Sequence, residues 1–294
     1  MKHCIRYACT LMLALALLAA FAAGAEAKTE PQIRVLLSSA QAGGEVSITI
    51  AEGNYQLVEN GGDAIAEAEE DDTLVFGYSG GTYYARINGD SYYANGMLAA
   101  LPEDEDCRFR FDGTAYRGSF QLAGNGSYAY AVNALGVEEY LYGVIGRELG
   151  YNYHLEAIKA QAVASRSYAL AKAAANNLYY DVTGNVSSQM YGGADAETPR
   201  IREAVDDTAG MILEYEGKVV MAYFSSNAGG YTENIENVWV SDVVPIVGVP
   251  SPYDAYASTY SSYGASCYSW TVEYTPEDLV RLANQYGQTN IGDY

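Results

Sequence analysis

A helical pattern that begins near Leu155 carries positive charges on its apolar face. At 100° per residue, one stripe of this helix contains Leu155, Ile158, Ala162, Val163, Ala169 and Leu170. Arg166 falls in the middle of that stripe, and Lys159 lies near it. Because a buried guanidinium is costly without carboxylate or carbonyl partners, the pattern predicts an organised polar cluster beneath the helix. Glu148, in a short glycine-flanked turn just ahead of the helix, is expected to border this cluster.

The chain before this helix is rich in strand signals. Between Ile33 and Asn133, short runs of β-branched and aromatic residues alternate with Asx-Gly pairs that are typical of tight hairpins. The acidic stretch 64–72 is expected to be a solvated loop. From Leu135 the period changes, and we predict helices at 137–145, 154–176, 197–207 and 275–287 and a hairpin at 211–226. The predicted class is α+β, with a strand-rich N-terminal part (28–134) followed by a helix-and-hairpin part (135–294).

The first 27 residues have the composition of a secretory signal peptide. Lys2 and Arg6 precede an apolar run, and Ala25-Glu26-Ala27 supplies a small-x-small cleavage pattern. Cleavage after Ala27 would export the protein to the extracellular space or the cell wall. The alternative is an uncleaved membrane anchor, because the apolar run approaches the ~20 residues that span a bilayer.

The charge of the chain restricts its partners. Its 37 acidic and 16 basic residues give a formal net charge of −21. Such a surface repels polyphosphate, so nucleic acid is excluded as a partner and an uncharged or locally cationic substrate is favoured. The chain also contains 29 tyrosines but only 6 phenylalanines. Tyrosine rings can stack on sugar faces, although most of these residues are expected to lie on half-exposed strands.

The chain has few cysteine or histidine residues that could bind a metal ion or act as a catalytic base. Once the predicted signal is removed, Cys107 and Cys267 are the only cysteines and His154 is the only histidine. Their spacing leaves open whether the two cysteines form a disulfide. A tetrahedral zinc site would need mostly carboxylates, so we predict no metal and no other cofactor. A Ser-His-Asp site is excluded as well, because His154 is expected to cap or flank a helix and no GxSxG elbow is present.

Several longer runs occur in a fixed order along the second half of the chain. They are YLYGVIGRELG, LEAIKAQAVASRSYAL, YDVTGNVSSQMYGG, the run from Ala204 to Trp239, and VPSPYD. In order and spacing they resemble the stage II sporulation protein D (SpoIID)/LytB family. The resemblance implies action on peptidoglycan. Enzymatic members are lytic transglycosylases that cut between N-acetylmuramic acid and N-acetylglucosamine and prefer strands stripped of stem peptides, whereas the LytB side enhances an amidase.

The resemblance also assigns roles to individual residues. Glu148 occupies the position of the family's catalytic glutamate. The residues that it assigns to substrate binding or support are Lys159, Gln161, Arg166, Gln189, Tyr191, Ser226, Gly229 and Gly230. Gln189 and Tyr191 would line the cleft. For Lys159 and Arg166 a purely structural network is an equal alternative, and for the paired glycines the alternative is a turn that needs positive φ.

A single carboxyl group suffices for the implied reaction. Protonated Glu148 would donate to the glycosidic oxygen, and its carboxylate would then take the proton of the muramic acid C6 hydroxyl, which attacks C1 to form a 1,6-anhydro sugar. The acid step needs a pKa raised by burial, which a close cation would oppose. Arg166 is therefore expected to bind another acid or backbone carbonyls rather than to pair with Glu148.

Two functions remain after this reasoning. The first is a lytic transglycosylase, and the second is a non-enzymatic glycan-binding protein that enhances a partner amidase or another wall hydrolase. The presence of Glu148, Lys159 and Arg166 favours the enzyme. Ser225 stands where family members often carry a histidine, and the chain stops soon after a helical pattern, as a fragment or a short member would. The sequence does not separate a role in sporulation from one in vegetative wall turnover.

Overall fold

The chain folds into two compact units. The computed structural model describes residues 30–175, 177–239, 246–260 and 268–285, so the predicted signal peptide and Cys267 lie outside the described residues. The first unit ends at Ala222 and the second begins at Tyr223. Within the described ranges, no helix combines the length and the apolar character that crossing a bilayer would require.

Antiparallel strands fill the N-terminal part of the first unit. They are β1 Gln32–Gln41, β2 Glu45–Glu52, β3 Tyr55–Glu59, β4 Ala64–Ala68, β5 Thr73–Ser79, β6 Thr82–Ile87, β7 Asp90–Ala94, β8 Leu98–Pro102, β9 Arg108–Phe111, β10 Thr114–Tyr116, β11 Ser119–Gly124 and β12 Tyr128–Gly136. The predicted hairpin turns Asn88-Gly89 and Asp112-Gly113 have positive φ at both residues, as a tight two-residue turn requires.

One predicted loop is a strand instead. Ala64–Ala68 pairs with β3, and only the residues after it form a turn. Ala68 is fully buried, whereas Glu67 is exposed. The acidic composition therefore reflects the solvated face of an edge strand, where charged side chains discourage pairing with other chains.

The strands form two sheets that share one core. The first has the order β13-β1-β12-β11-β8-β3-β4, in which β13, Val182–Thr183, pairs parallel with β1. The second has the order β10-β9-β2-β5-β6-β7. Phe120 of the first sheet contacts Phe76 and Phe109 of the second, with ring centroids 4.9 and 5.7 Å apart. The sheets therefore pack face to face, and the fold is α+β with a strand-rich N-terminal region.

Helices dominate the chain after β12. In the described residues they are α1 Val137–Glu148, α2 Leu155–Ala174, α3 Pro199–Asp206, α4 Ile235–Val238, α5 Ala257–Tyr260 and α6 Pro276–Gln285. α1 starts at the residue after β12 ends, so the sheet sets its position. His154 caps α2, because its Nδ1 accepts a hydrogen bond from the Glu156 backbone N–H at 3.3 Å, as expected. The predicted hairpin is short, with β14 Glu214–Tyr215 paired to β15 Lys218–Val219.

Candidate active site

Glu148 is the last residue of α1 rather than part of a turn ahead of a helix. The prediction was wrong because Gly146 is a packing residue inside the helix. A Cβ atom at Gly146 would lie 2.1 Å from the Ala196 carbonyl oxygen, and one at Gly143 would lie 2.6 Å from the Tyr191 ring. The helix is instead terminated by Gly150, two residues after Glu148, whose φ of +83° and hydrogen bond to the Ile145 carbonyl form a left-handed cap. The two glycines thus bring residues 191–196 against α1.

This close approach fixes the Glu148 carboxyl group. Its side chain is half-buried, and Oε1 accepts a hydrogen bond from the backbone N–H of Met190 at 2.6 Å. One carboxyl oxygen is therefore held in place by the backbone of residue 190.

The residues on either side of Met190 are anchored in the core. The Tyr140 hydroxyl of α1 donates to Gln189 Oε1 at 3.1 Å, and Gln189 Nε2 donates to the Ser165 carbonyl of α2 at 3.5 Å. The Tyr191 hydroxyl donates to Asn133 Oδ1 of β12 at 2.8 Å. Gln189 is fully buried and Tyr191 is 8% exposed. These side chains, which the resemblance expects to line the cleft, hold the backbone that binds Glu148.

The charge of Glu148 acts on two tyrosines. Burial raises the pKa of Tyr168, the negative charge of Glu148 raises it further, and a hydrogen bond with Ser188 acts in the opposite direction. Burial also raises the pKa of Tyr140 well above its usual range, with smaller contributions from Tyr168 and Glu148. Both phenols therefore stay protonated beside the carboxyl group. Tyr140 is not among the residues predicted from the sequence. It lies eight residues before Glu148, a spacing that belongs to one face of a helix.

Arg166 organises a separate polar cluster at the other end of α1. Its side chain is fully buried, and Nη2 and Nε bind the Glu138 carboxylate at 2.6 and 3.0 Å. Nη1 donates to the Met211 carbonyl at 3.0 Å, and Glu138 Oε1 accepts from the Gly210 N–H at the same distance. The predicted cluster, and the predicted binding of Arg166 to another acid and to carbonyls, are confirmed.

The expectation that Glu148 borders this cluster is wrong. Glu138 and Glu148 stand ten residues apart on one helix, which corresponds to about 15 Å along its axis. Glu138 therefore pairs with Arg166, and Glu148 has different neighbours.

Lys159 and Gln161 also bind neighbours other than Glu148. Lys159 Nζ lies 2.9 Å from Asp207, directly after α3, and 3.3 Å from Glu156. Gln161 Nε2 donates to Ser165 Oγ, one turn further along α2, at 3.1 Å. The pair with Asp207 links α2 to the end of α3, whereas the other two contacts lie within α2.

The remaining predicted residues, Ser226, Gly229 and Gly230, belong to the second unit. The two glycines have φ values of +71° and +100°, so this loop needs residues without Cβ atoms. The Asp254 carboxylate closes the loop, because Oδ2 accepts hydrogen bonds from the N–H groups of Ala228 and Gly230 at 3.0 and 3.1 Å. The VPSPYD run, which ends at Asp254, thus supports the paired glycines.

The described residues contain no group of three or more His, Cys, Asp or Glu side chains placed to hold a metal ion. Cys107 is a free, buried thiol that donates to the Asn54 carbonyl at 3.3 Å. We predict that no zinc co-purifies with the protein, since its histidine and cysteine inventory offers no tetrahedral site. Elemental analysis of dialysed protein checks this, and a stoichiometric zinc signal would contradict it.

The fold is α+β, and α1 ends in a glutamate whose carboxyl group is held by a backbone amide. Comparison with known proteins identifies the family. Residues 125–215, which include Glu148, match the family model SpoIID: Stage II sporulation protein. Through this segment the chain belongs to the SpoIID/LytB family.

Curated relatives agree with that assignment. The chain is 35% identical over 170 residues to an uncharacterized protein of Brachyspira hyodysenteriae, covering 57% of this chain and 43% of the relative. It is 31% identical over 211 residues to the Amidase enhancer of Bacillus subtilis, covering 67% of this chain and 29% of the relative. It is 33% identical over 147 residues to Stage II sporulation protein D of Bacillus amyloliquefaciens, covering 45% of this chain and 43% of the relative. The chain thus spans less than half the length of these relatives.

Proposed function

We propose that the protein is a peptidoglycan lytic transglycosylase that works outside the cytoplasm. It would cleave the bond between N-acetylmuramic acid and N-acetylglucosamine in peptide-stripped glycan strands and leave 1,6-anhydro ends. Family membership and the names of the relatives support a function related to the cell wall. The observation that carries the finer proposal is the Glu148 carboxyl group, whose Oε1 is held by the Met190 backbone N–H.

The hydrogen bond from Met190 decides which oxygen reacts. A backbone N–H can only donate, and the carbonyl oxygen of a neutral carboxylic acid is a better acceptor than its hydroxyl oxygen. Oε1 therefore accepts from Met190 as the carbonyl oxygen, and the proton of the neutral acid resides on Oε2. In the first step, Oε2 donates this proton to the glycosidic oxygen as the bond to C1 of the muramic acid breaks. In the second step, the Oε2 carboxylate takes the proton of the C6 hydroxyl, whose oxygen bonds to C1. Glu148 ends the cycle protonated, and no water is consumed.

Purified glycan provides a direct test. The complete protein is incubated with glycan strands that carry or lack stem peptides, and the products are analysed by mass spectrometry for 1,6-anhydro ends. We expect these ends, mainly from the peptide-free strands. Their absence in both samples would reject the transglycosylase.

The second candidate function is that of a glycan-binding protein that enhances an amidase. It is favoured by the similarity to a protein named Amidase enhancer. If it is correct, the protein binds glycan without cleaving it and accelerates the release of stem peptides by a wall amidase. Adding the protein to amidase and wall material separates the two candidates, because this acceleration would persist in Glu148→Gln.

The hydrogen bond between Tyr140 and Gln189 predicts a positioning effect. Tyr140→Phe removes the donor to Gln189 and loosens the Met190 amide, so we expect kcat to fall by roughly ten- to a hundredfold. KM should change little, because Tyr140 is buried and does not contact the glycan. Steady-state kinetics on peptide-free strands measures both constants.

Tyr142→Phe is the matched control for this experiment. Tyr142 lies on the same helix, but its hydroxyl donates to Asp206 at 2.6 Å and not to Gln189. Its kcat should stay close to that of the wild type. Equal loss in both variants would show that the Tyr140 bond has no special part in holding Glu148.

A further inference from the structure

A cavity of about 620 Å³ lies within the second unit, and Glu148 is not among its described lining residues. Its lining includes Tyr223, Ser226, Glu233, Trp239 and Asp254. The volume falls within the ~300–1,000 Å³ that is typical of small-molecule sites. The cavity is thus large enough to hold a single sugar residue.

Aromatic rings form one wall of this cavity. Tyr223 and Trp239 stack with ring centroids 5.4 Å apart and planes at 20°, yet 39% and 50% of their surfaces remain exposed. Exposed, nearly parallel rings offer a flat apolar face to a ligand. Ser225, Ser226 and Asn227 add hydroxyl and amide groups to the same lining. Flat apolar faces beside small hydrogen-bonding groups suit a pyranose ring, which has C–H faces and a polar rim.

The cavity also carries negative charge. A backbone hydrogen bond from Gly230 is the main cause that lowers the pKa of Asp254, and the Asn237 side chain is the main cause that lowers the pKa of Glu233. Both carboxylates are therefore ionised at neutral pH. None of the described lining residues is a lysine, an arginine or a histidine. An anionic ligand would be repelled here.

We propose that this cavity binds an N-acetylglucosamine residue of the glycan and excludes N-acetylmuramic acid. The two sugars share the ring and the N-acetyl group, but muramic acid freed of its peptide carries a lactyl carboxylate. Glu233 and Asp254 would oppose that carboxylate, whereas the neutral sugar can stack on Tyr223 and Trp239. The choice of these two sugars rests on the proposed action on peptidoglycan.

Binding of chitotetraose, an uncharged oligomer of N-acetylglucosamine, tests the aromatic wall. Calorimetry on the complete protein should show binding to the wild type and to Glu148→Gln, and about tenfold weaker binding to Trp239→Ala. Tyr223→Leu should also weaken the binding of chitotetraose. Trp270→Ala is the control, because Trp270 is 74% exposed and does not line the cavity. Unchanged affinity in both Trp239→Ala and Tyr223→Leu would overturn the proposal.

A peptide-free disaccharide of N-acetylglucosamine and N-acetylmuramic acid tests the charge. We expect the wild type to bind this disaccharide more weakly than it binds chitobiose. Glu233→Gln should reduce the ratio of the two affinities several-fold. Glu236→Gln removes the same charge from an exposed residue of α4 outside the lining and should change nothing. Equal effects of the two substitutions, or equal binding of both sugars by the wild type, would overturn the exclusion of muramic acid.

The two proposals fail in different ways. If anhydro ends form but chitotetraose binds independently of Trp239 and Tyr223, the inference is wrong and the transglycosylase stands. If chitotetraose binding depends on these rings but no glycan is cleaved, the sugar site is supported and the transglycosylase is rejected.

Discussion

Glu148→Gln is expected to lower the formation of 1,6-anhydro ends by at least ~10³-fold without unfolding the protein. Glutamine is nearly isosteric with glutamate, and its carbonyl oxygen can still accept the hydrogen bond from Met190. Its amide group, however, can neither protonate the glycosidic oxygen nor take the proton of the C6 hydroxyl. Mass analysis of peptide-free strands gives the rate, and circular dichroism and glycan binding report the fold.

The control substitution must leave the protein's buried charges intact. Glu138 is unsuitable because it binds Arg166, and Glu139 is unsuitable because it is half-buried near Arg117. The Glu156 side chain is 70% exposed, so Glu156→Gln should retain most of the activity. Activity that survives in Glu148→Gln but disappears in Glu156→Gln would place the acid elsewhere.

Arg166→Leu is expected to destabilise the first unit by about 3–5 kcal/mol. The substitution leaves the Glu138 carboxylate, of which only 17% is exposed, without its cation, and it leaves the Met211 carbonyl without its donor. For a unit of this size the loss corresponds to a fall of roughly 6–20 °C in Tm. Thermal unfolding followed by circular dichroism measures it.

A double-mutant cycle distinguishes the free energy contributed by the ion pair from the free energy lost when side-chain packing is removed. Because the cost comes largely from a stranded charge, Arg166→Leu combined with Glu138→Leu should be less destabilising than the sum of the two single changes. Tyr168→Phe in the same helix keeps its ring and loses only the hydroxyl that bonds Ser188, so it should lower Tm much less than Arg166→Leu. A Tm for Arg166→Leu within one or two degrees of the wild type would contradict the role assigned to the buried pair.

Several features of this protein could be read directly from its residues. The 3.6-residue period located α2, and the cost of burying a guanidinium implied that Arg166 has acidic and carbonyl partners. Asx-Gly pairs located the tight turns at Asn88 and Asp112, because few other residues accept positive φ at both positions. These inferences succeed because each depends on local geometry or on the chemistry of one side chain. The family, by contrast, followed from the resemblance of the ordered motifs around Glu148 to those of known members.

Other features depended on contacts between distant parts of the chain. A glycine that ends a helix and one that allows close packing look the same in a sequence, so Gly146 was read as part of a turn and Glu148 was placed outside α1. Arg166 could have paired with several acids, and the packing of α1 on α2 selected Glu138. The group that orients Glu148 is the backbone N–H of Met190, which every residue except proline possesses. No side-chain pattern marks such a donor, and it became visible only where the chain folds back against the end of α1.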